Sequence, residues 1–141
     1  MNKINEEQLN HALKKAVEFH GHLGPFLVIG VKMGLLGRNT FNGKYSVEVR
    51  TQYCPPLSCV IDGIQISTGS TIGNGGLTIK DSEDSDISVY FKGNGKVLKI
   101  LLKNEIKTTL LEECENVEKE MLEKIGYQII ETPVEKMFLL E

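Results

Sequence analysis

The chain has 141 residues, 40% of them apolar and 25% charged, with a formal net charge of −3. This suits one soluble globular domain with a single hydrophobic core. The slight acidity excludes the basic footprint of a nucleic-acid or anionic-membrane binder, and no apolar run approaches the length of a membrane span.

The predicted elements follow in chain order. Asn5 with Gln8 three positions on has the form of a capping box. Leu9, Ala12, Leu13, Ala16 and Val17 then repeat at helical spacing. The first predicted helix therefore runs to about residue 19 and delivers His20 and His22 at its C-terminal end. Gly21 and Gly24 supply the turn, and Pro25 suits the first turn of a second helix. That helix, PFLVIGVKMGLLG, is apolar nearly all round and is expected to be buried. Gly30 and Gly34 share one of its faces, where a second backbone could approach, and Gly37 is the expected stop.

Residues 45–51 alternate as a strand, and CPPLS follows as a rigid loop. In SCVIDGIQISTG, Ile64 and Ile66 alternate as in a strand, whereas Val60, Ile61 and Ile64 fit a helix. Ser58 as N-cap and Gly69 as stop favour the helix. TIGNGG is a glycine-rich loop, and LTIKD and DISVYFK are strands. Asn94-Gly95 suits a hairpin turn, and KVLKILL pairs back. Asn104 is then expected to cap a long helix to about residue 125, with Ile106, Leu110, Val117, Met121 and Ile125 as its buried stripe and Gly126 as its end. YQIIET reads as a last short strand and PVEKMFLLE as a short helix or docking tail. The order implies a single α+β domain over residues 1–141, built on a mixed sheet of about five strands.

The three cysteines form no CxxC and support neither a disulfide framework nor a zinc ribbon. The opening MNKINEEQLN has no apolar signal region, so a reducing cytoplasmic setting is expected. The side chains able to do chemistry are His20, His22, Cys54 and Cys59. Imidazoles near neutrality can donate lone pairs to a metal. Cys59 falls at a predicted helix start, where the dipole favours thiolate over thiol. A borderline-soft ion such as Zn²⁺ accepts this mixed donor set, and two or three protein ligands leave an open position. Cys54, before Pro55-Pro56, reads first as a loop residue. Cys114, in the long helix, reads as a packing residue, and His11 as a surface residue.

Asp62 and Gln65 share a helix face, and Thr68, Ser70 and Thr71 crowd the turn that follows. The loop at residues 73–76 lacks the Lys-Ser/Thr of a P-loop and the βαβ setting of a dinucleotide fingerprint. DSEDSD lacks the central glycine and closing glutamate of a calcium loop and reads as a solvated loop.

FHGHLGP followed by SCVIDGIQISTGSTIGNGGL resembles the signature of the FmdE family, which takes its name from formylmethanofuran dehydrogenase. The family pattern is close to FHGHxCP, then C-x-x-D-A-I-Q and T-G-C-T-x-G-K-G-N-L, and the likeness spans roughly residues 14 to 100. The resemblance implies an α+β, thioredoxin-like core with a five-stranded mixed sheet flanked by helices, usually dimeric. It also implies a site at which zinc is associated in some members. Carried over by position, His20, His22 and Cys59 are the metal candidates, with Cys59, His22 and Asp62 as catalytic candidates. Gln65, Thr68 and Ser70 are candidates for touching a cofactor. Gly24 stands where many members have cysteine, Ser70 where many have the cysteine of TGCT, and Asn74 where lysine often follows. Two family thiols are therefore absent, and no cysteine pair of a C-terminal zinc finger is present, as expected for a core-only member.

Two functions follow from these expectations. One is a metal-binding domain, zinc first, whose His/Cys site acts on an unnamed substrate, with Asp62 orienting a histidine. The other is an accessory or metal- or cofactor-delivery protein, homodimeric, associated with the oxidoreductase subunits of a molybdenum or tungsten formylmethanofuran dehydrogenase. A thiol redox protein is a third reading, weakened by the missing CxxC.

Overall fold

Asn5 caps the first helix in the computed structural model, which describes residues 4–141. Its side-chain oxygen accepts from the backbone N–H of Glu7 at 2.8 Å and of Gln8 at 3.2 Å. The Gln8 side chain does not close the box; it pairs with the amide of Asn39. Helix α1 runs Glu6–His20 and ends at Gly21, whose φ of 103° only glycine adopts readily. Helix α2, Pro25–Thr40, is buried from Pro25 through Gly37. It continues past the expected stop at Gly37 because that glycine serves packing instead: a Cβ there would collide with the ring of Phe91.

Strand β1 (Ser46–Arg50) leads through a loop to helix α3 (Cys59–Thr68), confirming the helical reading of that stretch. Strands β2 (Leu77–Lys80), β3 (Ser88–Gly93) and β4 (Lys96–Leu102) follow. The β3–β4 hairpin turns on Asn94 and Gly95, both at positive φ (52° and 75°), as a two-residue type I′ turn requires. The sheet has five strands in the order β2-β1-β3-β4-β5, with β1 and β2 parallel and the other pairs antiparallel. This is the expected α+β class with a mixed sheet flanked by helices. Val47, Val49, Val89, Phe91 and Ile100 form its buried face toward the helices. The other face carries Glu48, which accepts from Arg50 at 2.7 Å and Lys92 at 3.1 Å.

The C-terminal third differs from expectation. The long helix is two: α4 (Asn104–Glu113) and α5 (Lys119–Glu131). The break falls at Cys114, the residue that closes α4, and Asn116, which adopts φ 56°. Lys103, not Asn104, precedes α4, and neither offers a side-chain cap. YQIIET is helical, not a strand, because Ile125, Gly126 and Ile129 are buried at helical spacing. Gly126 therefore lies inside α5 rather than ending it, and the helix stops just before Pro133, where the ring disfavours continuation. The fifth strand comes instead from the tail: after the single turn α6 (Val134–Met137), β5 (Phe138–Leu140) pairs with β4.

Two contacts fix the helical layer. Helix α2 crosses α3 backbone to backbone. A Cβ on Gly30 would fall on the Val60 carbonyl, one on Gly63 on the Leu27 carbonyl, and one on Gly34 on the Ser67 hydroxyl. The face expected to admit a second backbone does so. The second contact is Lys32 of α2, which is only 3% exposed. Its Nζ donates to the carbonyls of Ile129, Ile130 and Thr132, each at 2.7 Å. These carbonyls lie at the end of α5, where the last C=O groups lack i+4 partners; that of Ile129 also accepts from the Thr132 N–H at 3.2 Å. Burial pushes the Lys32 pKa down to about 8, against the upward pull of Glu131.

Candidate functional site

The α1–α2 turn and the start of α3 bring the sequence candidates together because α2 and α3 touch along their backbones. His20 ends α1, and His22 lies in the turn before Pro25. Their rings are 4.8 Å apart, centroid to centroid. Asp62, one turn into α3, places Oδ2 2.5 Å from His20 Nδ1. The His20 side chain is 13% exposed and that of Asp62 32%. This contact fixes one nitrogen of His20 and leaves Nε2 for another partner, as carboxylates that orient metal-bound histidines do.

His20, His22 and Cys59 line one small cavity of about 40 Å³ together with Gly24, Pro25, Phe26, Leu27, Pro56, Cys114 and Leu122. A single water needs roughly 10–15 Å³ of such space, so the cavity admits an ion or a few waters but no metabolite. Burial, helped by the neighbouring His20, lowers the His22 pKa and so favours its neutral imidazole. Neutral imidazole is the metal-ligating form. Gly24 has an extended backbone (φ −145°), and a Cβ there would sit 3.7 Å from His22 Nε2. Position 24 therefore has room for a side chain directed at the imidazole.

Cys59 corrects one expectation. Its pKa is raised rather than lowered, first by burial and second by the Asp62 carboxylate. The helix dipole does not offset this because the first N–H groups are already engaged. A turn precedes α3, and the N–H groups of Cys59, Val60 and Ile61 donate to the carbonyls of Pro56, Leu57 and Ser58. Ser58 itself is helical and makes no side-chain cap.

The donor chemistry of two imidazoles and a thiol suits a borderline-soft dication. Among the described residues, however, no three His, Cys, Asp or Glu side chains are already placed to hold an ion. The donors surround the cavity without converging on a point.

Gln65, Thr68 and Ser70 are not brought to the cavity. Thr68 lies nine residues along α3 from Cys59, a rise of about 13 Å. There the three residues build the loop after α3. Gln65 Oε1 accepts from Ile72 N at 3.0 Å, Thr68 Oγ1 donates to the Ile64 carbonyl at 2.7 Å, and Ser70 N donates to Thr68 Oγ1 at 3.0 Å. Cys54 is exposed, with its thiol directed at the Pro55 carbonyl, and His11 is exposed on α1.

The residues missed from sequence are Cys114 and Leu122. The reading that made Cys114 a packing residue depended on an unbroken helix. The available signal was the lapse of the apolar stripe over residues 112–116, EECEN. A wider groove of about 370 Å³ on the outer sheet face is lined by Arg50, Tyr90, Lys99 and the acidic loop at residues 81–86. It holds none of the candidates. Two of its cations are already paired, Arg50 with Glu48 and Lys99 with Glu141.

An α+β domain with a histidine- and cysteine-lined cavity between its first helical hairpin and α3 is the class that fold and site define. The family model FmdE, described as molybdenum formylmethanofuran dehydrogenase operon, matches residues 19–139, and the chain belongs to this family. A tungsten formylmethanofuran dehydrogenase FmdE-like protein from Syntrophus aciditrophicus has a similar crystal structure. Its TM-score is 0.60 at 23% identity, over 100% of this chain and 76% of that one. A curated relative from Archaeoglobus fulgidus, a probable S-adenosyl-L-methionine-binding protein, is 26% identical over 105 residues. The match covers 71% of this chain but only 29% of the relative. Among the described residues, no helix is long and apolar enough to cross a membrane.

Proposed function

We propose that this chain is a metal-binding FmdE domain that holds a divalent ion, zinc first, through His20, His22 and Cys59. We read it as a cytoplasmic homodimer that serves a molybdenum or tungsten formylmethanofuran dehydrogenase as an accessory or delivery protein. The observation that carries the metal reading is the 2.5 Å contact between His20 Nδ1 and Asp62 beside a cavity shared with His22 and Cys59. The family described for that operon supports the partner.

Each residue has a distinct part. Asp62 holds the His20 ring so that Nε2 is the free nitrogen. Burial lowers the His22 pKa and favours the form that can ligate. Cys59 gives up its proton when it ligates, so binding weakens as pH falls. A bound ion would supply Lewis acidity toward a substrate oxygen or a water. The small cavity bears on the Archaeoglobus name too. At about 40 Å³ it is far below the roughly 300 Å³ at which small-molecule pockets begin, so this cavity is too small for a ligand of that size.

Metal analysis of protein purified without a metal-affinity tag tests the reading. About one divalent ion per chain is expected, lost in both His22→Ala and Cys59→Ser. A metal-free wild type that also fails to take up added zinc overturns it. So does a content that neither substitution changes. For the partner, a pull-down from the native host is expected to retain oxidoreductase subunits, and their consistent absence removes the accessory role.

A further inference from the structure

Every cavity-lining side chain that carries a nitrogen, oxygen or sulfur atom is an imidazole or a thiol: His20, His22, Cys59 and Cys114. The remaining lining side chains are aliphatic, aromatic, proline or glycine, with no hydroxyl, carboxylate or amine among them. Such a wall offers a dication only nitrogen and sulfur donors inside an apolar shell. Hard, oxygen-seeking ions are disfavoured there, and Zn²⁺ or another borderline-soft ion is suited. Among the described residues, neither Cys59 nor Cys114 donates its thiol to a hydrogen bond.

We infer that Cys114 is the second sulfur ligand of this site, so that the ion is held by His20, His22, Cys59 and Cys114, with the α4–α5 corner contributing the last donor. The inference rests on the metal-binding reading and extends it to a residue outside the signature motifs. Among the described residues no three of these donors are yet placed to hold an ion, so closure needs the imidazoles and Cys59 to adjust as well as Cys114. Three donors sit on elements locked by the α2–α3 crossing. The fourth sits where α4 ends, on a corner that turns through Asn116 at φ 56° and has exposed residues at 115, 116 and 118. That corner can shift inward to close on an ion.

The test uses the full chain with Cys54→Ser, which removes the exposed thiol, stripped with chelator and titrated with Co²⁺ and then Zn²⁺. The intensity of the thiolate-to-cobalt charge-transfer band counts sulfur ligands. Cys114→Ser is expected to lower the band to about half and to weaken zinc at least about tenfold, the lower end of what even an outer-shell partner costs. Cys114→His is expected to restore affinity with the band still halved, a result that packing alone cannot produce. Thermal unfolding of the metal-free variants checks that each one folds. If Cys114→Ser leaves band and affinity unchanged while Cys59→Ser and His22→Ala abolish both, Cys114 is a packing residue and this inference fails, but the metal reading stands. If wild-type protein gives no band at all, both fail together.

Discussion

The two walls of the cavity are built in opposite ways. The wall formed by the α1–α2 turn and the start of α3 rests on a crossing with no slack, where Gly30 and Gly63 let each backbone lie on the other. The wall formed by Cys114 and Leu122 belongs to a corner with little beneath it. In α4 only Lys107 and Leu110 are buried, and in α5 only Ile125, Gly126 and Ile129, all from its midpoint on. At its far end α5 is also held by the three Lys32 hydrogen bonds. Close-packed interiors resist deformation and thinly buried corners do not, so any adjustment of the cavity falls more on the corner than on the crossing.

The largest expected effect breaks the fixed wall. Gly30→Ala puts a methyl on the Val60 carbonyl. Overpacking against side chains costs about 1–3 kcal/mol; a backbone neighbour cannot rotate away, so a loss of about 3 kcal/mol or more is expected in chemical denaturation. A loss below about 1 kcal/mol would show that the crossing has slack after all. Lys32→Met comes next, releasing the anchor of the hinged wall. It leaves the carbonyls of Ile130 and Thr132 without this donor, while that of Ile129 keeps the Thr132 N–H, but it also removes a buried charge, and a net loss of about 2 kcal/mol is expected at pH 7.

The pH dependence identifies the group. Lys32 has a folded pKa of about 8 against 10.5 when exposed, so between those values the unfolded chain binds the extra proton. Stability attributable to Lys32 therefore rises from pH 8 to 10.5, and is fully present only above that window. Wild type should gain on Lys32→Met across this range. A constant difference between the two proteins would show that Lys32 does not titrate there.

Asp62→Asn sharpens the comparison at the level of the two thiols. Both Cys59 and Cys114 are held above the ordinary thiol range by burial first, and then by Asp62 and Glu113 respectively. Removing the Asp62 charge should speed alkylation of Cys59 severalfold at pH 8 while leaving Cys114 unchanged, read by peptide mapping of the metal-free protein. Equal acceleration of both would mean that the change had loosened the whole cavity.

The same contrast governs what could be read from the sequence. On the fixed wall the signals are local and strong. Asn5 caps α1, Gly21 and Gly24 shape the turn, and the paired glycines of PFLVIGVKMG announce a close crossing. That His20, His22 and Cys59 line one cavity was therefore legible, although the state of the Cys59 thiol was not, since it depends on burial and on Asp62 in space. On the hinged wall the signals are weak. Asn116 in the left-handed region is favourable for asparagine but not demanded by it, and YQII has the β-branched look of a strand until the helical burial of Ile125 and Ile129 decides otherwise. Gln65, Thr68 and Ser70 look chemical by composition, yet their hydrogen-bonding capacity goes to the loop after α3. Cys114 could be assigned to the cavity only once the helix break was placed.

The smallest expected effect lies where the hinged wall meets the fixed one. Gly126, inside α5, faces the α1–α2 turn, and a Cβ there would lie 3.1 Å from Leu23 Cγ and 3.4 Å from the Gly24 carbonyl carbon. The nearest atom belongs to a side chain that can turn by a few tenths of an ångström, unlike the carbonyl opposite Gly30. Replacing glycine by alanine within a helix also gains about 1 kcal/mol of propensity, which offsets the crowding. Gly126→Ala should therefore shift stability by less than about 1 kcal/mol in either direction, while Gly30→Ala under the same conditions is severe. Equal penalties at the two glycines would mean that α5 is seated as rigidly as α3, and a hinged corner delivering Cys114 could not then be maintained.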